Sequence, residues 1–238
     1  MIEELLRVER INKRFGGVSA LVDLSFTIKK GEILGIIGPN GAGKTTLFNC
    51  VTGILKPDTG EISFFGERVT RVPAHKVAKM GISRTFQIPR VILDMTVLEN
   101  VIPAASLRHQ DMGQIISAAR KALNFVGLGT KENNLAGTLN VSGKRMLEMA
   151  RALATEPKLL LIDEAAAGLT ESEVLEFNDK VRQINRSGIS VMVIDHVMKA
   201  ILPITSGLIV LDHGMKIAEG PPDEVVKDRK VIEAYLGT

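Results

Sequence analysis

The sequence has no tryptophan and a single cysteine among its 238 residues. With one thiol the chain cannot form an intrachain disulfide, so a cytosolic protein is the simpler interpretation. That cysteine, Cys50, falls in a predicted helix, where we expect a small, buried, apolar side chain. Aromatic residues make up only 4% of the chain against 22 glycines, which favours many tight turns over an aromatic binding surface.

A large excess of one charge and long apolar runs are also missing. The net charge is +3, which by itself does not indicate nucleic-acid binding. No uninterrupted apolar run approaches about 18 residues, so we expect no membrane span. Glu3 and Glu4 occupy the positions where a signal peptide would carry basic residues, so we expect no signal peptide. A hydrophobic content of 45% and 238 residues fit one large α/β domain, with or without a smaller insertion.

A glycine-rich stretch organises the chain. It follows the apolar run Ile33–Ile37 and precedes a helical pattern over Leu47–Thr52, which is the strand, loop and helix order of a phosphate-binding P-loop. Glycines let successive N–H groups face an anion, Lys44 adds positive charge, and the helix directs its positive end at the same anion. Thr45 is placed to offer its hydroxyl to Mg²⁺. The predicted nucleotide-binding residues are Gly38, Pro39, Asn40, Gly41, Ala42, Gly43, Lys44, Thr45 and Thr46.

Two carboxylates end the apolar strand predicted over Lys158–Ile162. Charge at the end of a buried parallel strand is costly unless a cation faces it, and a P-loop with its magnesium supplies one. We therefore expect Asp163 to hold the magnesium, directly or through water, and Glu164 to polarise the attacking water. A pair of surface acids is the alternative. After the next strand, His196 could donate to the γ-phosphate, although a lone histidine is more often structural.

Periodicity and capping patterns predict the other elements. Capping boxes at Thr96–Glu99 and Thr170–Glu173 predict two helix starts. Further helices are predicted over 112–126, 131–136, 142–155, 197–202 and 223–236, strands over 5–8, 21–28, 189–194, 208–211 and 215–218, and a hairpin over 61–70. Residues 91–138 are interpreted as a helical insertion in a core made of 1–90 and 139–238.

A basic segment runs from residue 68 to residue 90 without any acidic residue. Its cations are Arg68, Arg71, Lys76, Lys79, Arg84 and Arg90. A solvated face and a docking surface for an anionic or membrane-adjacent partner both fit this composition.

These features together resemble the nucleotide-binding subunits of ABC transporters over nearly the full length of the chain. The sequence is similar in particular to the group serving branched-chain (hydrophobic) amino-acid importers, through GISRTFQ at 81–87, MTVLEN at 95–100, and AEG with AYLG near the C-terminus. The resemblance implies an α/β P-loop NTPase with an N-terminal antiparallel β subdomain and a helical insertion. The P-loop would be its Walker A motif.

The resemblance also implies roles by position. Phe15 would stack on adenine, and Gln87 would link magnesium and water to the helical insertion. Asp163, Glu164 and His196 would be the Walker B aspartate, the catalytic glutamate and the switch histidine. The implied cofactors are ATP and Mg²⁺. The implied partners are a second ATP-binding subunit, two integral-membrane permeases and, indirectly, an external substrate-binding protein, with no nucleic acid. The subunit would lie at the cytoplasmic face of the cell membrane.

The family's signature, Leu-Ser-Gly-Gly-Gln, is not present. Counting back without gaps from Ala150–Leu153 places it on Leu139–Gly143, where only the leucine survives. A register shifted to Val141–Arg145 recovers serine and one glycine but breaks the spacing, so we prefer the gapless register. Ser142 and nearby N–H groups could still contact a γ-phosphate. In this family each ATP lies between the Walker A of one subunit and the signature of the other, so we expect a heterodimer with a different ATP-binding subunit.

Other functions remain open from the sequence. An exporter subunit for lipid or polysaccharide would be distinguished from an importer subunit only by the amino-acid sequence around Gln87. A soluble regulatory ATPase of the same family usually has two cassettes, a long coiled coil or a basic arm, and none is evident. A GTPase is disfavoured because no Asn-Lys-x-Asp-like motif follows the P-loop. The cargo, a branched-chain amino acid or a related amide such as urea, would contact the permease and the binding protein instead of this chain.

Overall fold

The computed structural model describes residues 3–163, 168–195 and 198–236. The strands are β1 Glu4–Phe15, β2 Val18–Lys29, β3 Ile33–Ile37, β4 Thr59–Phe64, β5 Glu67–Arg68, β6 Ile82–Arg84, β7 Leu159–Asp163, β8 Ser190–Ile194, β9 Gly207–Asp212 and β10 Met215–Gly220. The α-helices are α1 Lys44–Val51, α2 Ala74–Met80, α3 Val97–Ala105, α4 Met112–Val126, α5 Val141–Leu153, α6 Glu171–Arg186, α7 Met198–Ile201, α8 Pro222–Val225 and α9 Arg229–Leu236.

The strands form two sheets. One is antiparallel with the order β2-β1-β4-β5, and the other has six strands in the order β10-β9-β3-β8-β7-β6. In the six-stranded sheet β3 pairs in parallel with β8 and β9, and β7 pairs in parallel with β6 and β8. Every residue of β3, β7 and β8 is buried, as continuous apolar runs in a parallel sheet predict.

The first hairpin is longer than predicted. The sequence analysis ends the first strand at residue 8 and begins the second at residue 21, but Lys13–Phe15 belong to β1, and Phe15 pairs with Val18. Polar side chains supply partners that an apolar pattern does not reveal: Asp58 accepts from the Arg14 N–H at 2.7 Å and from Lys13 Nζ at 2.7 Å. Asn12 Oδ1 accepts from the Asp23 N–H at 2.9 Å.

The basic segment contains two elements that the sequence analysis missed, α2 and β6. β6 has only three residues, and its register places Ile82 opposite Leu159, so it exists through pairing with β7 and not through any periodicity of its own. Of the six cations in the segment, Arg84 stands apart because its side chain is only 8% exposed. The segment is therefore not one uniform solvated face.

Both capping boxes are confirmed. Thr96 Oγ1 accepts from the Glu99 N–H at 3.1 Å while Glu99 Oε2 accepts from the Thr96 N–H at 2.7 Å. Thr170 and Glu173 repeat the arrangement at the start of α6. These reciprocal bonds satisfy N–H groups that the first helical turn leaves without a carbonyl.

The helix predicted over 131–136 is wrong. The segment instead has 3₁₀ turns at Gly129–Lys131 and Ala136–Thr138. Its backbone bonds to the chain around α3: the Ala136 N–H donates to Met95 O, and Glu132 O accepts from the Leu98 N–H, both at 2.9 Å. Those tertiary bonds replace the intrahelical ladder.

The single helix predicted over 223–236 is also wrong, because α8 ends at Val225 and α9 begins at Arg229. Asp228 lies between them. Its carboxylate accepts from the Lys230 N–H at 2.8 Å, and its carbonyl accepts from the Val231 N–H at 3.0 Å. A local side-chain bond of this kind favours a new helix start over a continuous helix.

Apolar side chains on the two faces of the large sheet join different clusters. Leu160 and Ile162 of β7 pack with residues of α3, α4 and α5. Leu161, one position along, packs with the antiparallel sheet and α1, as the period-2 alternation of a strand requires. The helices of the predicted insertion thus share an apolar cluster with the sheet. Among the helices that are described, none has both the length and the apolar character needed to cross a bilayer.

Cys50 is 1% exposed on α1, as expected, and burial raises the pKa of its thiol to about 11. Since the thiolate is the reactive form, this shift lowers its fraction at pH 8 by roughly 100-fold. We expect a thiol-alkylating reagent to label the native chain at least about 100-fold more slowly than the chain unfolded in denaturant. Mass spectrometry over time measures both rates, and similar rates would contradict the burial of Cys50.

Candidate nucleotide-binding site

Three parallel strands end at one edge of the large sheet. Ile36 of β3 pairs with Ile194 of β8, and Ile194 pairs with Asp163 of β7. Two strand spacings of about 4.8 Å therefore separate the backbones of Ile36 and Asp163, which is roughly 10 Å. The glycine-rich loop follows β3 directly, so the loop and the Asp163 carboxylate belong to the same edge. Glu164 and His196, which follow β7 and β8, lie outside the described residues, and their roles stay predictions.

Three glycines of the loop, Gly38, Gly41 and Gly43, have positive φ, and the last two take left-handed backbone conformations. Gly41 has φ +83°, and a Cβ added there would meet no atom within 4 Å. Gly43 has φ +101°, and a Cβ there would lie 2.3 Å from the Ala20 carbonyl oxygen of β2. The loop therefore takes its shape from glycine and from close contact with the first hairpin.

Lys44 begins α1 and lies over this loop. It is 5% exposed, and Nζ donates to the carbonyl oxygens of Gly38 at 2.6 Å and Pro39 at 2.9 Å. Thr45 is exposed and Thr46 partly buried in the same first turn, where N–H groups have no intrahelical acceptor. A positive side chain, first-turn N–H groups and the positive end of a helix suit a phosphate. The residues present thus fit the phosphates of a nucleotide.

Phe15 ends β1 and is 48% exposed. It pairs with Val18, two residues before Ala20, and Ala20 contacts the loop at Gly43. Lys13 Nζ lies 5.5 Å from the centroid of the Phe15 ring. The hairpin that carries this exposed ring therefore contacts the loop at Gly43, and stacking of Phe15 on adenine stays a prediction.

Asp163 has a partner that the sequence analysis missed. Its Oδ2 accepts from an Arg84 guanidinium nitrogen at 2.7 Å, with the two side chains only 4% and 8% exposed. The Asp163 N–H also donates to Thr85 Oγ1 at 3.3 Å. Burial lowers the pKa of Arg84, and the Asp163 carboxylate opposes that shift, so the guanidinium stays charged. The available signal was a lone arginine between Ile82 and Phe86 in an otherwise uncharged stretch.

The remaining predicted residues lie on loops and helix ends. Gln87 is exposed, two positions beyond Thr85. Ser142 lies in the first turn of α5. Asn140 caps that helix, and its side-chain oxygen accepts from the Gly143 N–H at 2.8 Å. In the gapless register Asn140 takes the place of the signature serine, and both residue types are good helix N-caps.

Comparison with known proteins decides the family. Residues 21–167 match the ABC transporter family, and residues 215–238 match the branched-chain amino acid ATP-binding cassette transporter family. The chain belongs to the ATP-binding cassettes of ABC transporters. It is therefore a nucleotide-binding ATPase of the P-loop class, whose hydrolysis of ATP is coupled to transport, and the predicted fold class is confirmed.

Relatives match the ATP-binding cassette along its full length. It is 35% identical to the high-affinity branched-chain amino acid transport ATP-binding protein LivG of Salmonella typhimurium, covering 100% of this chain and 99% of LivG. The chain is also 34% identical to the high-affinity branched-chain amino acid transport ATP-binding protein BraF of Pseudomonas aeruginosa, covering 100% of this chain and 99% of BraF.

Two solved structures agree with the fold of the cassette. A nucleotide-free ATP-binding cassette from an ABC transporter aligns with TM-score 0.91 at 33% identity, covering 99% of this chain and 100% of that one. The ADP conformation of the cassette MJ1267 aligns with TM-score 0.89 at 34% identity, covering 99% of each chain.

The two loop glycines give a matched stability test. Gly43→Ala adds backbone strain and a clash with Ala20, so we expect a loss of about 3 kcal/mol or more in the free energy of unfolding. Gly41→Ala adds only strain, of about 1 kcal/mol. Chemical denaturation of both variants measures the difference. Equal losses would contradict the close approach of β2 to the loop.

Proposed function

We propose that this cassette energises an importer of branched-chain amino acids or of a related small amide, from the cytoplasmic face of the membrane. The observation that carries the proposal is the shared sheet edge of the glycine-rich loop and Asp163. The full-length similarity to LivG and BraF, which are named for branched-chain amino acid transport, and the match of residues 215–238 support the class of cargo.

In the proposed site, different residues bind the phosphates, the base and the magnesium ion. Lys44 and the loop N–H groups bind the phosphates, and Phe15 supports the base. Thr45, Asp163 and Gln87 would hold Mg²⁺, and Gln87 would link it and its water to the 91–138 insertion. Bound Mg²⁺ supplies positive charge at the phosphates. The donor set suits it, because hydroxyl and carboxylate oxygens are its preferred ligands.

Hydrolysis needs a group that accepts a proton from the attacking water. We assign that role to Glu164, and we assign a hydrogen bond to the γ-phosphate to His196. The remaining catalysis is positional and electrostatic, because Lys44 and the loop are arranged before the charge moves.

Glu164→Gln should keep ATP binding and lose most hydrolysis, since an amide cannot accept the proton. We expect turnover to fall by about 10² to 10⁴-fold, measured as phosphate release, with ATP affinity measured separately. Glu171→Gln, at an exposed glutamate that begins α6, is the matched control and should keep turnover. Normal turnover in Glu164→Gln would refute the role given to Glu164.

The proposed partner is a second, different ATP-binding subunit. The glycine-rich loop and α1 of this chain keep the whole Walker A pattern, but the segment Leu139–Gly143, which would face a partner, keeps only the leucine of the signature. An intact signature on another subunit would complete the site over Lys44. Turnover by the purified chain alone that equals turnover of the assembled transporter would remove the need for this subunit.

The proposed contact with the permease is a cleft of about 260 Å³ that is lined by both apolar and charged side chains and that Ala104 of α3 borders. Ile54, Ala78, Phe86 and Ala104 are among its lining residues. Close by in sequence, Ile88 is 78% exposed and Ile92 and Leu93 are about half exposed. Exposed apolar residues grouped in this way are typical of an interaction surface. We assign the cleft to a permease and the 91–138 insertion to transmitting movement between permease and site.

Because Cys50 is buried, Ile54→Cys, at a residue that lines the cleft and is 48% exposed, would carry one accessible thiol. We expect a thiol-directed photocrosslinker at this position to capture integral-membrane proteins in native membranes, identified by mass spectrometry. Leu175→Cys, at a residue 66% exposed on α6 that does not line the cleft, is the control and should capture none. Equal capture from both positions would refute the assignment of the cleft.

A further inference from the structure

Arg84 is a buried cation that the proposed mechanism does not use. It ends β6, whose residues pair with β7, and it lies opposite Leu161. Its guanidinium makes two short hydrogen bonds, one to Asp163 Oδ2 at 2.7 Å and one to Asn49 Oδ1 at 2.6 Å. Arg84 thus connects the end of β7 with α1, the helix that starts at Lys44.

Aromatic rings fix the guanidinium further. Its carbon Cζ lies 4.7 Å from the Phe86 ring centroid and 5.9 Å from that of Phe48. Arg90 contacts the Phe86 ring as well, with Cζ at 4.5 Å. Phe86 precedes Gln87, so one set of contacts joins Asp163, the P-loop helix and the segment that carries Gln87.

The pairing with Arg84 has a consequence for Asp163. The guanidinium donates to Oδ2 of the carboxylate at 2.7 Å, which sets the position of that oxygen at the end of β7. Because Asn49 and the two rings hold the planar guanidinium, it fixes the rotation of the carboxylate as well as balancing its charge. Partners of ligating groups that orient them in this way commonly change metal affinity about 10- to 100-fold when they are removed.

We propose that Arg84 is a positioning residue that orients the Asp163 carboxylate for the magnesium of the bound nucleotide. The inference rests on the proposed assignment of Asp163 to that magnesium. Orientation, and not positive charge alone, is the property that matters. Lysine would keep the charge but cannot donate to Asp163 and Asn49 in the fixed, forked geometry of arginine.

The test measures binding and requires no turnover. ADP affinity is determined by calorimetry with Mg²⁺ and with excess EDTA, and the ratio of the two affinities is the magnesium gain. We expect Arg84→Met and Arg84→Lys to lower the gain by about tenfold or more relative to the unaltered chain, while the affinity in EDTA stays unchanged. Arg71→Met, at an exposed arginine of the same segment, is the control and should keep the full gain.

Several outcomes would overturn the inference. An equal fall of affinity with and without Mg²⁺ would show that Arg84 only supports the fold. An unchanged gain would remove its role, and a larger gain would show that it competes with the metal. A full gain in Arg84→Lys, together with a loss in Arg84→Met, would show that charge alone matters.

Two further variants keep the result decisive. Removal of Arg84 leaves a buried carboxylate without this partner, which destabilises a fold. Asn49→Ala is gentler, because it keeps the contact between Arg84 and Asp163 and removes only the second acceptor that holds the guanidinium. This variant should lower the magnesium gain by a smaller factor than the Arg84 variants do, and no change would count against the inference.

Asp163→Asn separates the inference about Arg84 from the proposed magnesium assignment. If it keeps the gain, the magnesium assignment fails; if it loses the gain while the Arg84 variants keep it, only the inference about Arg84 fails.

Discussion

Parallel pairing of β3, β8 and β7 is the constraint on which the site depends. These strands are apolar and buried on both faces, so they are held in register by a continuous ladder and by side chains packed above and below. The register sets Ile36, Ile194 and Asp163 in one row. A one-residue slip would reverse the faces of Leu160 and Leu161, which belong to different apolar clusters. Packing of the core thus fixes the placement of the chemical groups.

The same packing makes the free energy of placing a charge at this edge unfavourable, because the charge is removed from water. Asp163 and Lys44 are both nearly inaccessible to water, and a buried charge is tolerated only with hydrogen bonds and a compensating partner. Arg84 meets that need for Asp163, and two loop carbonyls accept from Lys44. Both charges at this edge are therefore already engaged in polar contacts within the folded chain.

Local chemistry could be predicted from the sequence. The glycine-rich loop, both capping boxes and the buried β3, β7 and β8 follow from residue types at short spacings, and the interior position of Cys50 is confirmed. The features that were missed depend on distant parts of the chain. β6 forms because its backbone hydrogen-bonds to β7. The 131–136 segment forms backbone hydrogen bonds to residues near α3 instead of a helix. The pairing of Arg84 with Asp163 spans 79 positions, and no local pattern predicts it.

Co-purification of the tagged chain from native membranes, solubilised in mild detergent, tests the central claim most directly. Mass spectrometry then identifies what accompanies the cassette. The account predicts two polytopic permease proteins together with a second, distinct ATP-binding subunit. Recovery of soluble proteins or nucleic acid alone would contradict it, because the ATP site would then serve a process other than transport.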